Sequence, residues 1–520
     1  MRRRCAALAL AVLAAAWASA AQEPRPAPKL DPTQESYRKA RAVLDAGIKA
    51  LVGEKALPGA GAVSAKMSGG LYHRHQSPQA GGPPVSTPYT GEFLLDLKNN
   101  AVVWERTSSF PGGFDFSNRW LLKPSEGANL DLLRKTAASQ GNPAGAIDAV
   151  CRRLPQYLLQ AARNRAATLR WQGETEYQGR THNVISTASP TGGVTSLYFD
   201  AETNLLTKFD SLFSDAMTGD TLAETIFTGY LSVQGLQLPA GQTQKTGGVL
   251  TQDVKYSEWR VNPPIPEGAW ATPPGFTPLP ANPPPAPPAI SELACDVFLI
   301  EGLGGGGYRV LFVAFRDFIL VAEAPLNDAA TQQVIRLIQE KVPGKPIRYV
   351  AATHHHDDHA GGLRGYLTQG VTVLTTPGNV NFFRTVAGAQ FSIAPDSWAR
   401  TAEPRPQNYL DGILNRRAVI TDGSRTVQVL DIGPGPHADE MLVVWLPQER
   451  ILFQGDLMNR DARGHLQPAN DTTVHFAQWL RQSGLPVEKL VGVHSRVSTL
   501  ADLQASLDLR AAQSRASREP

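Results

Sequence analysis

The stretch Ile347-Arg348-Tyr349-Val350-Ala351-Ala352-Thr353-His354-His355-His356-Asp357-Asp358-His359-Ala360-Gly361-Gly362 decides the reading of this 520-residue chain. Its first six residues are largely apolar. They follow an amphipathic run, Asn327 to Lys341, in which Val334, Ile335, Leu337 and Ile338 are apolar and Pro343-Gly344 is the stop. The pattern predicts a helix, then a strand at Ile347 to Ala352 that runs directly into a loop, with Gly361-Gly362 opening the next helix. On that loop His354-x-His356-x-Asp358-His359 crowds four groups together. Neutral imidazoles and carboxylates are the ligands that borderline-soft divalent cations prefer, and without a cation such crowding is wasteful. Histidine-rich runs also arise as surface accidents, so the loop alone says metal and nothing finer.

Working outward, apolar β-branched runs recur at Asp296 to Ile300, Tyr308 to Ala314, Phe318 to Ala322, Val371 to Leu374, Thr426 to Leu430, Met441 to Trp445 and Arg450 to Phe453. Strands alternating with helices predict an α/β domain. Three more polar residues sit where such strands end. His437 follows Asp431-Ile432-Gly433-Pro434-Gly435-Pro436, Asp456 follows Ile451-Leu452-Phe453-Gln454-Gly455, and His494 follows Leu490-Val491-Gly492-Val493. Loops of this kind converge on one end of a sheet.

This ordered set of five histidines and two aspartates resembles the metallo-β-lactamase superfamily across residues 290–505. The resemblance implies a four-layer αββα sandwich with its site at the edge where the two sheets meet. It implies two divalent metal ions, zinc by preference: His354, His356 and His437 for the first, Asp358, His359 and His494 for the second, with Asp456 bridging both. Two cations ~3.5–4 Å apart can share a hydroxide and bring its pKa towards neutrality, a nucleophile that needs no serine or cysteine. Asp358 is the expected catalytic carboxylate, orienting that hydroxide and moving a proton. His355 and Asp357 fall between ligands and are expected behind them or facing solvent. One departure concerns Phe318-Ile319-Leu320-Val321-Ala322, which ends in Glu323 where the superfamily commonly has an aspartate behind the ligands. Glutamate makes the same hydrogen bonds with a longer arm.

Asp456 discriminates among reactions. Zinc β-lactamases usually place cysteine or serine at that step, whereas the relatives that cleave thioesters, lactones, phosphoesters and sulfate esters carry the aspartate. The expected function is hydrolysis of an ester-like bond in a small molecule. A zinc β-lactamase is the second reading. A third is a non-enzymatic periplasmic ligand-binding protein whose metal domain is structural, against which stands the fact that structural zinc normally has four closed ligands. His465 and His475, soon after Asp456, are candidates to line the substrate pocket, and Ser495-Arg496 could hold an anionic group.

The rest of the chain sets the context. Hydrophobic content of 42% and charged content of 19% describe an ordinary globular protein, and 520 residues exceed one core. A net charge of +3, with signs interspersed, gives no footprint for nucleic acid. Residues 1–20 read as a cleaved leader: Arg2-Arg3-Arg4, an apolar run from Cys5 to Trp17, then Ala18-Ser19-Ala20. Export to the periplasm or medium follows, and no later run is long enough to span a membrane. Cys151 and Cys295 are expected to be separate buried thiols, with a disulfide as the less favoured alternative.

The proline-rich run 277–289 reads as a semi-rigid linker. Before it, residues 30–275 give an α+β, mostly antiparallel pattern: a helix over Glu35 to Leu57, a second over Ala146 to Ala167 that Pro155 should kink or divide, and short strands between. Leu197 to Lys208 and Gly229 to Pro239 resemble the later strands of periplasmic lipoprotein-carrier-like half-barrels, which implies a curved sheet able to take an apolar ligand. His73, His75 and His182 are expected to be structural or surface histidines. Residues 506–520 read as a tail after a metal domain of 290–505.

Overall fold

The computed structural model describes residues 31–520 except 53–60, 112–113, 190–192, 281–285, 402–409, 459, 461–463 and 517–520. The expected leader, 1–20, lies outside the described residues. Among those described, no helix is long and apolar enough to cross a membrane.

Among the described residues, strands between 62 and 278 form one sheet of fourteen. Thirteen of them make two antiparallel meanders, joined where Ala62–His73 pairs with Val249–Val261. Helices Pro143–Cys151 and Pro155–Asn164 connect the meanders, and Pro155 does divide the helical run, sitting at the first position of the second helix where its missing N–H costs nothing. These two and the helix Pro32–Val52 cover one face of the sheet, since Leu236 packs against both of the clusters they close. The proline-rich run is not wholly a free spacer. Thr277–Pro278 pairs with Thr136–Ser139 at the sheet's edge, a position where proline's lost donor is tolerated.

From Ala289 onward the described residues build two further sheets, of seven and five strands, each in sequence order. Ile347–Ala351 lies in the seven-stranded sheet, parallel to both Ile319–Ala322 and Thr372–Thr375. Its two faces are both buried. Ile347 and Val350 point into a cluster closed by helices Asp328–Lys341, Leu363–Leu367 and Val380–Gly388. Ala351 points into a second cluster shared with Val427, Val429, Leu442 and Val444 of the five-stranded sheet. The far face of that sheet carries Asp471–Ser483 and Leu500–Ala516. Burial on both faces explains why these strands read as continuous apolar runs.

Two expectations are corrected. The last helix reaches Ala516, so the residues expected as a tail from 506 are helical for most of their length; Leu507 packs on the core and the Ser506 hydroxyl donates to the Gln467 carbonyl. Cys295 is exposed rather than buried, because it falls in the turn between Ala289–Ala294 and Val297–Leu303, while Cys151 is buried on a helix; both thiols are free.

Candidate metal centre

The strand Ile347–Ala351 ends at Thr353, and His354 and His356 follow in extended backbone before the short helix Asp357–Ala360. Gly361 and Gly362 let that helix lie against the 324–327 backbone: a Cβ on Gly361 would meet the Leu326 carbonyl oxygen at 2.2 Å. His437, Asp456 and His494 arrive from the ends of strands Thr426–Asp431, Ile451–Gln454 and Lys489–Gly492.

The seven expected ligands come together as two groups whose donor atoms lie within 4.8 Å of one another: His354, His356 and His437, and then Asp358, His359, Asp456 and His494. In the first group His354 Nε2 is 3.0 Å from His356 Nδ1 and 3.1 Å from His437 Nε2. In the second, His494 Nε2 is 3.1 Å from His359 Nε2 and 3.3 Å from Asp358 Oδ2. Asp456 touches both: Oδ2 is 3.2 Å from His359 Nε2 and 3.4 Å from His437 Nε2, and Oδ1 is 3.2 Å from His494 Nε2. Asp456 Oδ1 is nonetheless buried without a hydrogen bond. Nitrogen and oxygen that approach without aligning both face a common third point, so the residues present fit a cation.

Partners on the outer side fix which nitrogen points inward. Thr353 Oγ1 donates to Glu323 Oε2 (2.8 Å) and so accepts from His354 Nδ1 (3.0 Å). His359 Nδ1 faces Glu323 Oε2 at 3.0 Å, and His494 Nδ1 donates to the Gly307 carbonyl at 3.1 Å. His356 Nε2 donates to the Ser77 carbonyl at 3.1 Å. In each case the proton sits outside and the lone pair is directed at the cluster. Glu323 therefore stands behind the ligands, fully buried, with a φ of 96°.

The electrostatics divide along the same line. Burial, then the neighbouring imidazoles, holds His354 and His356 well below the ordinary histidine range. Burial also opposes a charge on His359, but Asp456, Asp358 and Glu323 outweigh it and raise its pKa well above normal; His494 is raised by Asp456 and Asp358 against the same penalty. Burial works to raise Asp358 and Asp456, yet His359 and His494 hold both carboxylates low. The second group is thus rich in negative charge that calls for a cation, and the first offers neutral lone pairs.

Of the remaining candidates, His355 is not solvent-facing: it is 1% exposed, donates Nε2 to the Ser77 carbonyl at 2.9 Å, and burial lowers its pKa to about 4. His475 packs against Gly435 beside His437 and lines a small cleft there. His465 and Arg496 are exposed. His73 bonds Thr87 Oγ1 at 2.7 Å and His182 is buried beside Tyr177, both structural. Three site residues were not singled out from sequence. Tyr308 packs edge-on to His494 at 4.8 Å, and burial, then the Asp358 carboxylate, raises its phenol's pKa. Gln76 Nε2 donates to Asp357 Oδ1 (2.9 Å) and Asp358 Oδ1 (3.2 Å), and Ser77 supplies the carbonyl just described. The one available signal was the length of the 74–84 connection between two long paired strands, where hairpin loops are usually far shorter.

The family model of the metallo-beta-lactamase superfamily matches residues 290–494. Residues 290–494 are a metallo-β-lactamase superfamily hydrolase domain. Over 192 residues the chain is 26% identical to a metallo-beta-lactamase type 2 of Bacteroides fragilis, covering 36% of this chain and 69% of that protein. It is 21% identical over 194 residues to the alkyl/aryl-sulfatase BDS1 of Saccharomyces cerevisiae, covering 31% of this chain and 29% of the sulfatase. A solved metallo-beta-lactamase from Pontibacter korlensis aligns with 20% identity and a TM-score of 0.34, covering 43% of this chain and 99% of its own. The chain thus spans under a third of the sulfatase, and the family model's match leaves the fourteen-stranded N-terminal sheet outside it.

Proposed function

We propose that this chain is an exported, dinuclear metal-dependent hydrolase of an ester-like bond in a small molecule: a thioester, lactone, phosphoester or sulfate ester. The observation that carries the reading is the convergence of inward lone pairs on two points with Asp456 between them. His354, His356 and His437 would hold one cation, and Asp358, His359 and His494 the other, with Asp456 shared. Zinc suits this imidazole and carboxylate set. Bound there, the cations supply Lewis acidity and bring the acidity of water near neutral pH.

The chain's own residues do the rest. Asp358, ionised and 26% exposed on its side chain, accepts the proton of the attacking water. Tyr308, its phenol kept protonated by burial and by Asp358, donates at the rim beside His494. His354, His356 and His359 are buried, so substrate enters on the side of Asp358, His437 and His494. The layered packing of residues 289–516 is read as the αββα sandwich, and the N-terminal sheet with helices on one face as a curved half-barrel. The sulfatase relative supports an ester substrate; the β-lactamase relatives support the alternative of β-lactam cleavage.

Metal analysis of the purified chain, followed by a panel of lactone, thioester, phosphodiester, sulfate-ester and β-lactam substrates, tests this. About two metals per chain are expected, with one ester class turned over. His354→Ala and Asp456→Ala should each lower turnover by roughly 100-fold or more, the scale of losing one charge-stabilising group. Fewer than one metal per chain, with both variants unchanged in every assay, would refute the reading. Turnover of β-lactams alone would transfer it to a zinc β-lactamase.

A further inference from the structure

The fourteen-stranded sheet is not a neighbour of the metal centre but a contributor to it. We propose that residues 74–82, within the 74–84 connection between Ala62–His73 and Val85–Asp96, form a structural part of the centre, and that Gln76 and Ser77 are positioning residues for its ligands. The inference rests on the metal reading above.

Two contacts carry it. The Ser77 carbonyl accepts from His356 Nε2 at 3.1 Å and from His355 Nε2 at 2.9 Å. A carbonyl has no proton to give, so His356 carries its proton on Nε2. That leaves Nδ1 bare, and Nδ1 is the atom 3.0 Å from His354 Nε2 inside the cluster. Independently, the Gln76 amide occupies Asp358 Oδ1 and bridges to Asp357, while Asp358 Oδ2 is the oxygen facing His494. One residue therefore selects the tautomer of a ligand in the first group, and its neighbour selects the oxygen of a ligand in the second.

The loop is braced rather than loosely draped. Asp439 N, two residues beyond His437, donates to the Pro78 carbonyl at 2.8 Å, and Ser77 is 5% exposed. At the loop's base Arg74 Nη1 pairs with Asp215 Oδ2 at 2.8 Å, and its Nη2 donates to Thr218 Oγ1. Those residues begin a second docking point. Asp220, on the same hairpin, accepts from the backbone N–H groups of Ser392 and Ile393 and from the Ser392 hydroxyl. Met217 between them is buried in the core cluster of the 290–494 domain. The base of the loop is thus tied, through Arg74 and Asp215, to the hairpin that Asp220 anchors on the 290–494 domain.

Partners of this kind, one bond removed from the metal, typically set affinity by 10–100-fold. The test uses the full chain and measures zinc dissociation by competition with a chelating dye, with circular dichroism confirming the fold. Gln76→Ala should weaken zinc binding about tenfold. Gln76→Leu, similar in size but with no amide to donate, should weaken it to the same degree. Asp220→Ala, which touches no ligand, should also weaken it. A purely structural role for the loop would lower thermal stability without this loss of metal affinity. If wild type binds zinc and both folded Gln76 variants bind it equally well, the inference is overturned and the metal centre stands. If wild type binds no zinc, both fall together.

Discussion

Glu323 shows how much one residue can decide. Its carboxylate accepts from Thr353 N at 3.2 Å and from Thr353 Oγ1, and it faces His359 Nδ1, so it orients both His354, through Thr353, and His359. Its φ of 96° lies where side chains are strained, and the buried carboxylate's bonds hold it there. Glu323→Ala is therefore expected to weaken zinc binding by roughly 10–100-fold, measured by chelator competition, and Glu323→Gln by less, since one acceptor oxygen remains. The two cysteines make a second prediction at this scale. Burial pushes the Cys151 thiol up to about 12, while Cys295 is exposed. At pH 8 a thiol reagent should label Cys295 in native protein and reach Cys151 only in denaturant, read by mass mapping.

Among the elements, the helix Asp328–Lys341 was legible from its helical period and its cap, Asn327, which accepts from Ala330 N, and the strand Ile347–Ala351 from a short apolar run between a stop and a polar loop. The strands Tyr308–Ala314 and Thr426–Asp431 were legible for the same reason. Less legible was the pairing of Thr277–Pro278 at a sheet edge, since a proline-rich run carries no signal for the partner strand it will meet. The short helix Asp357–Ala360 makes a prediction of its own. It is pressed onto the 324–327 backbone through Gly361 and Gly362, and a Cβ on Gly362 would lie 2.2 Å from Thr331 Oγ1 and 2.8 Å from the Pro325 carbonyl oxygen. Gly361→Ala and Gly362→Ala should each destabilise by about 1–3 kcal/mol, seen as a lower urea midpoint at unchanged slope.

For the whole molecule, the fourteen-stranded sheet and the hydrolase domain meet at the loop 74–82 and at the Met217–Asp220 hairpin. Met217 is 1% exposed, so Met217→Ala should cost about 2–5 kcal/mol, the range for truncating a buried large side chain. If that hairpin docks the two parts, the loss should appear in urea unfolding of the full chain as an earlier separation of the N-terminal signal, followed by tryptophan fluorescence. Gly219 reinforces the point: a Cβ there would meet the Gln390 carbonyl oxygen at 1.8 Å, and its φ of +69° also disfavours a side chain.

By itself the sequence, through the resemblance it carries, picked out the seven residues that gather at the site, because four follow the strand Ile347–Ala351 and the other three each follow a strand of their own, and such short-range patterns survive without knowledge of the fold. Only the tertiary structure decided which nitrogen of each histidine turns inward, and that Gln76 and Ser77 belong to the site. The physical reason is separation along the chain. The bonds from Ser77 and Gln76 to the histidine loop join residues 278 to 282 positions apart, and no local period encodes a contact that exists only after two sheets have docked.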